Sequence, residues 1–262
     1  MKKFSLKVFT GIIIMAFLFL CNNESADAAR ITKTLDENTR IMPYGVVVTT
    51  WDNIPKFKKG TVVTLNEYGE VFEGILAADV SLPYETGISR DSLKPAGYTP
   101  MPFYVFSNTT TTTTNRVLSF KSGTKITFND KGEVSKGTLN SSNQSVALNQ
   151  STYIQVSEGE VSFHKNGMLA TCTLANDSYL RPVGWSKILT ENYTNNSACP
   201  GFVEFKARKL IVLNDKGEVI KGTLNKETKL LSPVGIKVYE AETTVELDDE
   251  GIVGNALKVP TV

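Results

Sequence analysis

Histidine is almost missing from this chain. His164 is the only one in 262 residues. That leaves little room for a Ser-His-Asp relay or a histidine-built metal centre. Cysteine is scarce too, at three residues, Cys21, Cys172 and Cys199, which excludes a disulfide-dense scaffold. Neither a phosphate-cradling P-loop nor a glycine-rich dinucleotide fingerprint occurs. Acidic residues at Asp248-Asp249-Glu250 lack the alternating ligand spacing of a calcium loop. The sequence therefore names no catalytic residue, no metal ligand and no cofactor, and the chain is expected not to be an enzyme.

Long apolar runs are limited to one, VFTGIIIMAFLFL at 8–20, behind the lysines of MKKFSLK. It falls short of the roughly 20 residues that span a bilayer. With Ala26-Asp27-Ala28 after it, the order is that of a secretory signal peptide, residues 1–28. An alternative is a lipoprotein anchored at Cys21, although Leu20 is larger than a lipobox allows. The mature region, 29–262, is expected to be extracytoplasmic: secreted, periplasmic or on the cell surface. Losing Lys2, Lys3, Lys7, Glu24 and Asp27 leaves basic and acidic residues in balance. Such a surface does not favour nucleic acid. No membrane span is expected after the leader, and the oligomeric state is left open. Export permits a disulfide between Cys172 and Cys199, with two free thiols as the alternative.

What the chain does contain is a repeat. FNDKGEVSKGTL at 128–139 returns as LNDKGEVIKGTL at 213–224, and LNEYGEVFEGIL stands at 65–76. Five glycines, Gly69, Gly132, Gly167, Gly217 and Gly251, align the copies. Four residues before each stands Leu65, Phe128, Phe163, Leu213 or Leu247, and two further back Val63, Ile126, Val161, Ile211 or Val245. Polar residues alternate with these, the pattern of a strand with one buried face. Asn and Asp before the glycine predict a type I turn closed by a glycine bulge. Apolar residues resume at Val71, Val134, Leu169, Val219 and Val253.

Five residues after each turn glycine the side chain is small: Gly74, Gly137, Cys172, Gly222, Ala256. Because Cys and Ala serve there, limited space is the demand rather than a positive φ. Leu76, Leu139, Leu174 and Leu224 follow, an odd number of residues from Val71 and its counterparts. A β-bulge near the small residue would return both to one face. Between copies run Pro-x-Gly corners at Pro43, Pro95, Pro182 and Pro233, anchored two residues earlier by Ile41, Leu93, Leu180 and Leu231. A strand follows each, ending at Phe57, Phe120, Phe205 or Tyr239. The third copy lacks the corner, and Val146 or Leu148 stands in as its anchor.

The expectation is an all-β fold: stacked β-hairpin repeats forming an extended sheet or β-solenoid, with a compact β-sandwich or barrel as the alternative. A glycine-turned hairpin ending in Gly-Thr-Leu resembles MORN-type and related bacterial β-hairpin repeats over most of 40–258. The tyrosine- and tryptophan-rich core of the usual MORN unit is absent. That resemblance implies a scaffold or binding surface and carries no site residue.

Insertions fall at 98–115 and 185–201, each after a Pro-x-Gly corner. They hold Tyr98, Tyr104, Phe106, Trp185 and Tyr193 among Ser, Thr and Asn. Aromatic faces beside neutral hydrogen-bonding groups suit a glycan or a protein ligand; the alternative is that the rings simply pack each insert to the core. The expected function is an exported, non-enzymatic repeat protein presenting a binding or structural surface at the cell envelope. Alternatives are a glycan-active enzyme and an inhibitor or escort of another secreted protein.

Overall fold

The computed structural model describes residues 30–44, 54–85, 116–148, 152–188 and 201–258. The expected leader, Cys21 and the Pro95 corner lie outside them. The described chain is all-β apart from short turns. After β1 (Ile31–Thr34) come five units of four strands each. The first holds β2 (Thr39–Arg40), β3 (Lys56–Phe57), β4 (Val62–Leu65) and β5 (Val71–Ile75). The second holds β6 (Val80–Glu85), β7 (Arg116–Phe120), β8 (Lys125–Phe128) and β9 (Val134–Leu139). The third holds β10 (Gln144–Ala147), β11 (Tyr153–Val156), β12 (Gly159–Phe163) and β13 (Leu169–Thr173). In the fourth are β14 (Ser178–Leu180), β15 (Val203–Phe205), β16 (Leu210–Leu213) and β17 (Val219–Thr223). The fifth has β18 (Thr228–Ser232), β19 (Gly235–Tyr239), β20 (Thr243–Leu247) and β21 (Val253–Lys258).

In every unit the second hairpin enters one continuous antiparallel sheet. Its order is β1-β4-β5-β8-β9-β12-β13-β16-β17-β20-β21, and it does not close into a barrel. The first hairpin of each unit lies over that sheet. Four of these cover hairpins are separate two-stranded ribbons, and β6–β7 joins the main sheet through β7 and β9. The repeat is thus two hairpins, one in the sheet and one above it. The sequence pattern shows the sheet hairpin and marks the cover hairpin only as corners and isolated strands.

Each turn is built as its residues dictate. Asn66 Oδ1 accepts the N–H groups of Tyr68 and Glu70, at 3.0 and 2.9 Å, while its Nδ2 donates to the Glu70 carboxylate at 2.8 Å. Asn129 and Asn214 repeat this with Glu133 and Glu218. The turn glycines hold φ of 75–83°. The expected bulge occurs beside the turn, two residues ahead of the small position: Leu65 pairs with Val71, yet Thr64 pairs with Glu73. All five hairpins carry the same shift. Val71, Gly74 and Leu76 therefore share the inner face, and Val71 and Leu76 are fully buried.

The small position has a direct steric cause. A Cβ on Gly74 would stand 2.5 Å from Cδ1 of Phe57, one on Gly137 2.7 Å from Phe120, and one on Gly222 2.6 Å from Phe205. Each ring comes from the unit's own cover hairpin and occupies the space the glycine leaves. Its backbone is held there too: Phe57 bridges Leu76, Phe120 pairs with Leu139, and Phe205 bridges Leu224. In the third unit Val156 bridges Leu174 and the small position is Cys172. A smaller cover residue there accompanies a larger floor residue.

Cover hairpins also lean. Those of the second, third and fourth units rest their bases on their own sheet hairpins but extend their tips over the next turn. Backbone of Tyr84 and side chain of Glu85, from the second cover, lie against Gly167. The Leu148 carbonyl of the third meets Gly217, and Val183-Gly184 of the fourth meets Gly251. Tyr84 stacks on Phe163 with centroids 4.7 Å apart and accepts a hydrogen bond at its hydroxyl from Ala147 N–H. One anchor differs from expectation. Leu231 is half-buried and Leu230 fills the core, because β18 and β19 close through the tight turn Ser232–Gly235, which sets the inward face one residue earlier.

Asparagine or aspartate side chains tie the bases of three covers. Asp79 accepts the Ser122 N–H at 2.7 Å and the Asn140 amide at 3.0 Å; Asp177 does the same with Ala207 and Asn225, and Asn38 accepts Lys59 N–H. The backbone bond from Ser122, then the Asn140 amide, holds the Asp79 carboxyl below its ordinary range. A lowered folded-state pKa stabilises above the unfolded value of about 3.9 and ceases to do so as pH falls through the folded value. Asp79→Ala should therefore weaken the protein at pH 7, and the gap to wild type should close in acid denaturation series below about pH 4. A gap independent of pH would contradict the ionic role.

Gly222→Cys should destabilise the protein by about 1–3 kcal/mol through overpacking. Pairing Phe205→Val with Gly222→Cys, as in the third unit, should recover much of that. Urea unfolding of the single and double variants measures the coupling, expected at about 1–3 kcal/mol.

Candidate functional site

Where the cover tips end decides where the insertions leave. The second cover leaves the described chain after Glu85 and returns at Arg116, both beside the Gly167 turn. An ion pair of 2.6 Å between Glu85 and Arg116 closes this mouth, with Tyr153 beside the guanidinium. The fourth cover leaves after Ile188, next to the Gly251 turn. Both departures thus lie along the edge where the sheet hairpins turn. Four strand spacings separate them, roughly 19 Å at 4.8 Å per strand.

Of the residues expected to bind, Trp185 is described. It opens a single 3-10 turn, Trp185–Ile188, whose Ile188 is buried. Trp185 Nε1 donates to Glu218 Oε1 at 3.0 Å, and Glu218 is itself held by Asn214. Lys187 Nζ reaches the Glu250 carbonyl at 2.9 Å and its carboxylate at 2.6 Å. These contacts fix the start of the insert to the fourth and fifth hairpins. Tyr98, Tyr104, Phe106 and Tyr193 lie outside the described residues.

Sequence reading missed Arg181. Its Cζ sits 3.9 Å from the Trp185 ring centroid and 4.8 Å from that of Phe202. A guanidinium between two aromatic faces is oriented by their quadrupoles. Its Nε is buried and has no hydrogen-bond partner. The ring faces fix the plane of the guanidinium, and the unpartnered Nε carries a desolvation cost. The available signal was the spacing of Arg181 and Trp185 around the Pro182 corner, but Phe202 arrives from beyond the insert and cannot be placed by local pattern.

The remaining chemical candidates are structural. His164 occupies the slot of Asn66, Asn129 and Asn214, and its Nε2 donates to the Leu213 carbonyl at 2.9 Å. Asn166 from the same turn donates to the Asp215 carbonyl. Together they clip the third turn to the fourth. Cys172 is a free thiol buried in β13, while Cys199 lies outside the described residues. Burial pushes the Cys172 thiol up to about 12, so it is neither a nucleophile nor an exchange partner near neutrality. Among the described residues no group of three or more His, Cys, Asp or Glu is placed to hold a metal ion. No helix is long and apolar enough to cross a membrane among them.

No family model matches the chain, and no curated protein is significantly similar to it.

Cys172 should resist iodoacetamide at pH 8 in the folded protein and react on unfolding in guanidinium. Peptide mass mapping reads this site separately from other thiols. Fast labelling of folded Cys172 would contradict its burial.

Proposed function

We propose that the protein is an exported, non-enzymatic repeat array whose turn edge presents two insertions to an extended glycan or protein ligand at the cell envelope. The observation that carries this reading is the shared edge. Two segments rich in aromatic, Ser, Thr and Asn residues depart about 19 Å apart from one rigid border. Leaning cover tips hold both roots, so their spacing does not change without breaking the layer beneath. Per-repeat insertions on one face are the usual place for recognition in repeat proteins. At the second root the ring-clamped Arg181 adds a charged contact, which favours ligands bearing carboxylate groups. Arginine suits that role because its planar donors match a carboxylate. Trp185 offers a half-buried indole next to it. The leader-like N-terminus supports export, and the balanced charge supports a neutral or weakly acidic partner.

A glycan and protein pull-down tests the reading. Three chains are compared: wild type, one with 86–115 and 189–200 replaced by short Gly-Ser turns, and Arg181→Gln. Capture should be lost in the second and weakened about tenfold or more in the third for acid-bearing ligands, the loss of one charged hydrogen bond. Equal capture by all three would contradict the role of this edge.

A further inference from the structure

The array has two unlike ends, and each lacks what the other carries. Inside the molecule three turn glycines, Gly167, Gly217 and Gly251, lie under the tip of the preceding cover hairpin. At the first turn, nothing among the described residues stands within 4 Å of a Cβ built on Gly69, and Tyr68 beside it is 58% exposed. Among the described residues the last cover hairpin, β18–β19, has no following turn to rest on. Its tip residue Val234 is 93% exposed, and Ile236 and Val238 on β19 are 43% and 46% exposed.

The sheet edges show the same complementarity. At every internal seam the small residue of a return strand faces the inner apolar residue of the next outgoing strand. These pairs are Gly74↔Ile126, Gly137↔Val161, Cys172↔Ile211 and Gly222↔Val245. The fifth return strand, β21, presents Ala256 in that slot, exposed, with no strand beyond it among the described residues. Its natural counterpart is Val63 on β4. That residue now faces Lys33 of β1, a four-residue strand exposed along its whole length.

We propose that copies of this chain join head to tail, with β21 of one copy displacing β1 and pairing antiparallel with β4 of the next. Continuing the internal register sets Ala256 against Val63, Asn255 against Thr64 and Leu257 against Val62. The last pair brings together two exposed apolar residues, Leu257 at 71% and Val62 at 55%, on the outer face of the sheet. Above it, the Val234 tip covers the open Gly69 turn as earlier tips cover theirs. A second copy is the fitting occupant because its first hairpin continues both the strand register and the cover-over-turn contact. The contact is heterologous, so it propagates into a filament rather than closing a dimer. β1 is the plug: it fills the β4 edge in a free copy and limits edge pairing.

Disulfide trapping tests this on the full chain with Cys21 and Cys199 changed to Ser; Cys172 is buried. Cross-strand neighbours lie within disulfide reach. Carrying Val62→Cys and Leu257→Cys together should give a ladder of multimers on non-reducing gels. Mixing the two single variants should stop at dimers, and neither single variant should cross-link with itself. Self-linkage of Leu257→Cys would overturn the proposal in favour of a two-fold β21 pair, and the absence of any ladder would overturn it outright. In sedimentation velocity the unmodified chain should gain mass with concentration. Lys33→Pro with Thr32→Pro, which unseats β1, should shift that gain to lower concentration, and Leu257→Lys should abolish it. A chain that stays monomeric in all three cases refutes the assembly.

Discussion

Everything in this structure depends on a ring seated where a side chain is missing. Phe57, Phe120 and Phe205 each descend from a cover hairpin onto Gly74, Gly137 and Gly222 in the sheet. A buried phenyl contributes roughly 1.5–3 kcal/mol, and an isolated two-stranded hairpin is marginal in water. Neither hairpin of a unit holds its shape alone. The contact joins them into a two-layered element. The lean of the second, third and fourth covers then carries the join forward to the next unit's turn. Stability consequently belongs to neighbours in sequence order, as in other repeat architectures, but with an extra tie above the three later seams.

That construction leaves the outer face free to be polar. Cross-strand pairs of opposite charge bridge three seams: Glu73 with Lys125, Lys136 with Glu160, and Lys221 with Glu246. Exposed pairs of this kind add little stability. Their value is in register, since a slip of one residue would turn every inner Leu and Val outward. The seam between the third and fourth hairpins has no such pair at this row, where Thr171 faces Val212. There His164 and Asn166 clip the adjoining turns instead. The insertions depart from the turn edge, where their roots are held by Glu85 with Arg116 and by Trp185 with Glu218.

Much of the sheet was legible in the sequence. Turn glycines, Asn caps and the alternation of Val63, Leu65 and Val71 with polar neighbours are local signals, and local signals survive in a single chain. The small position was read correctly as a matter of space, although the ring that fills it was not identified. What stayed hidden was the cover layer. Strands β2 and β3 have two residues each, too few for a period. β6 and β7 pair across some thirty intervening residues, and β14 and β15 across more than twenty. In the third unit the Val156 and Cys172 exchange removed the aromatic that marks the others. Proline spacing points to Leu231 as an anchor, because it cannot sense a tight turn that shifts the inward face to Leu230. Arg181 escaped for the same reason as the covers: Phe202 reaches it from the far side of an insertion.

The central claim is that cover hairpins couple successive sheet hairpins into one cooperative body. Native-state hydrogen exchange in low denaturant addresses it most directly. Amides of Val161, Cys172, Ile211, Gly222 and Val245, on either side of the later seams, should exchange through one shared opening with one denaturant dependence. If each hairpin instead opens separately, with its own free energy and a small denaturant slope, the covers are ornaments on independent units and the account fails.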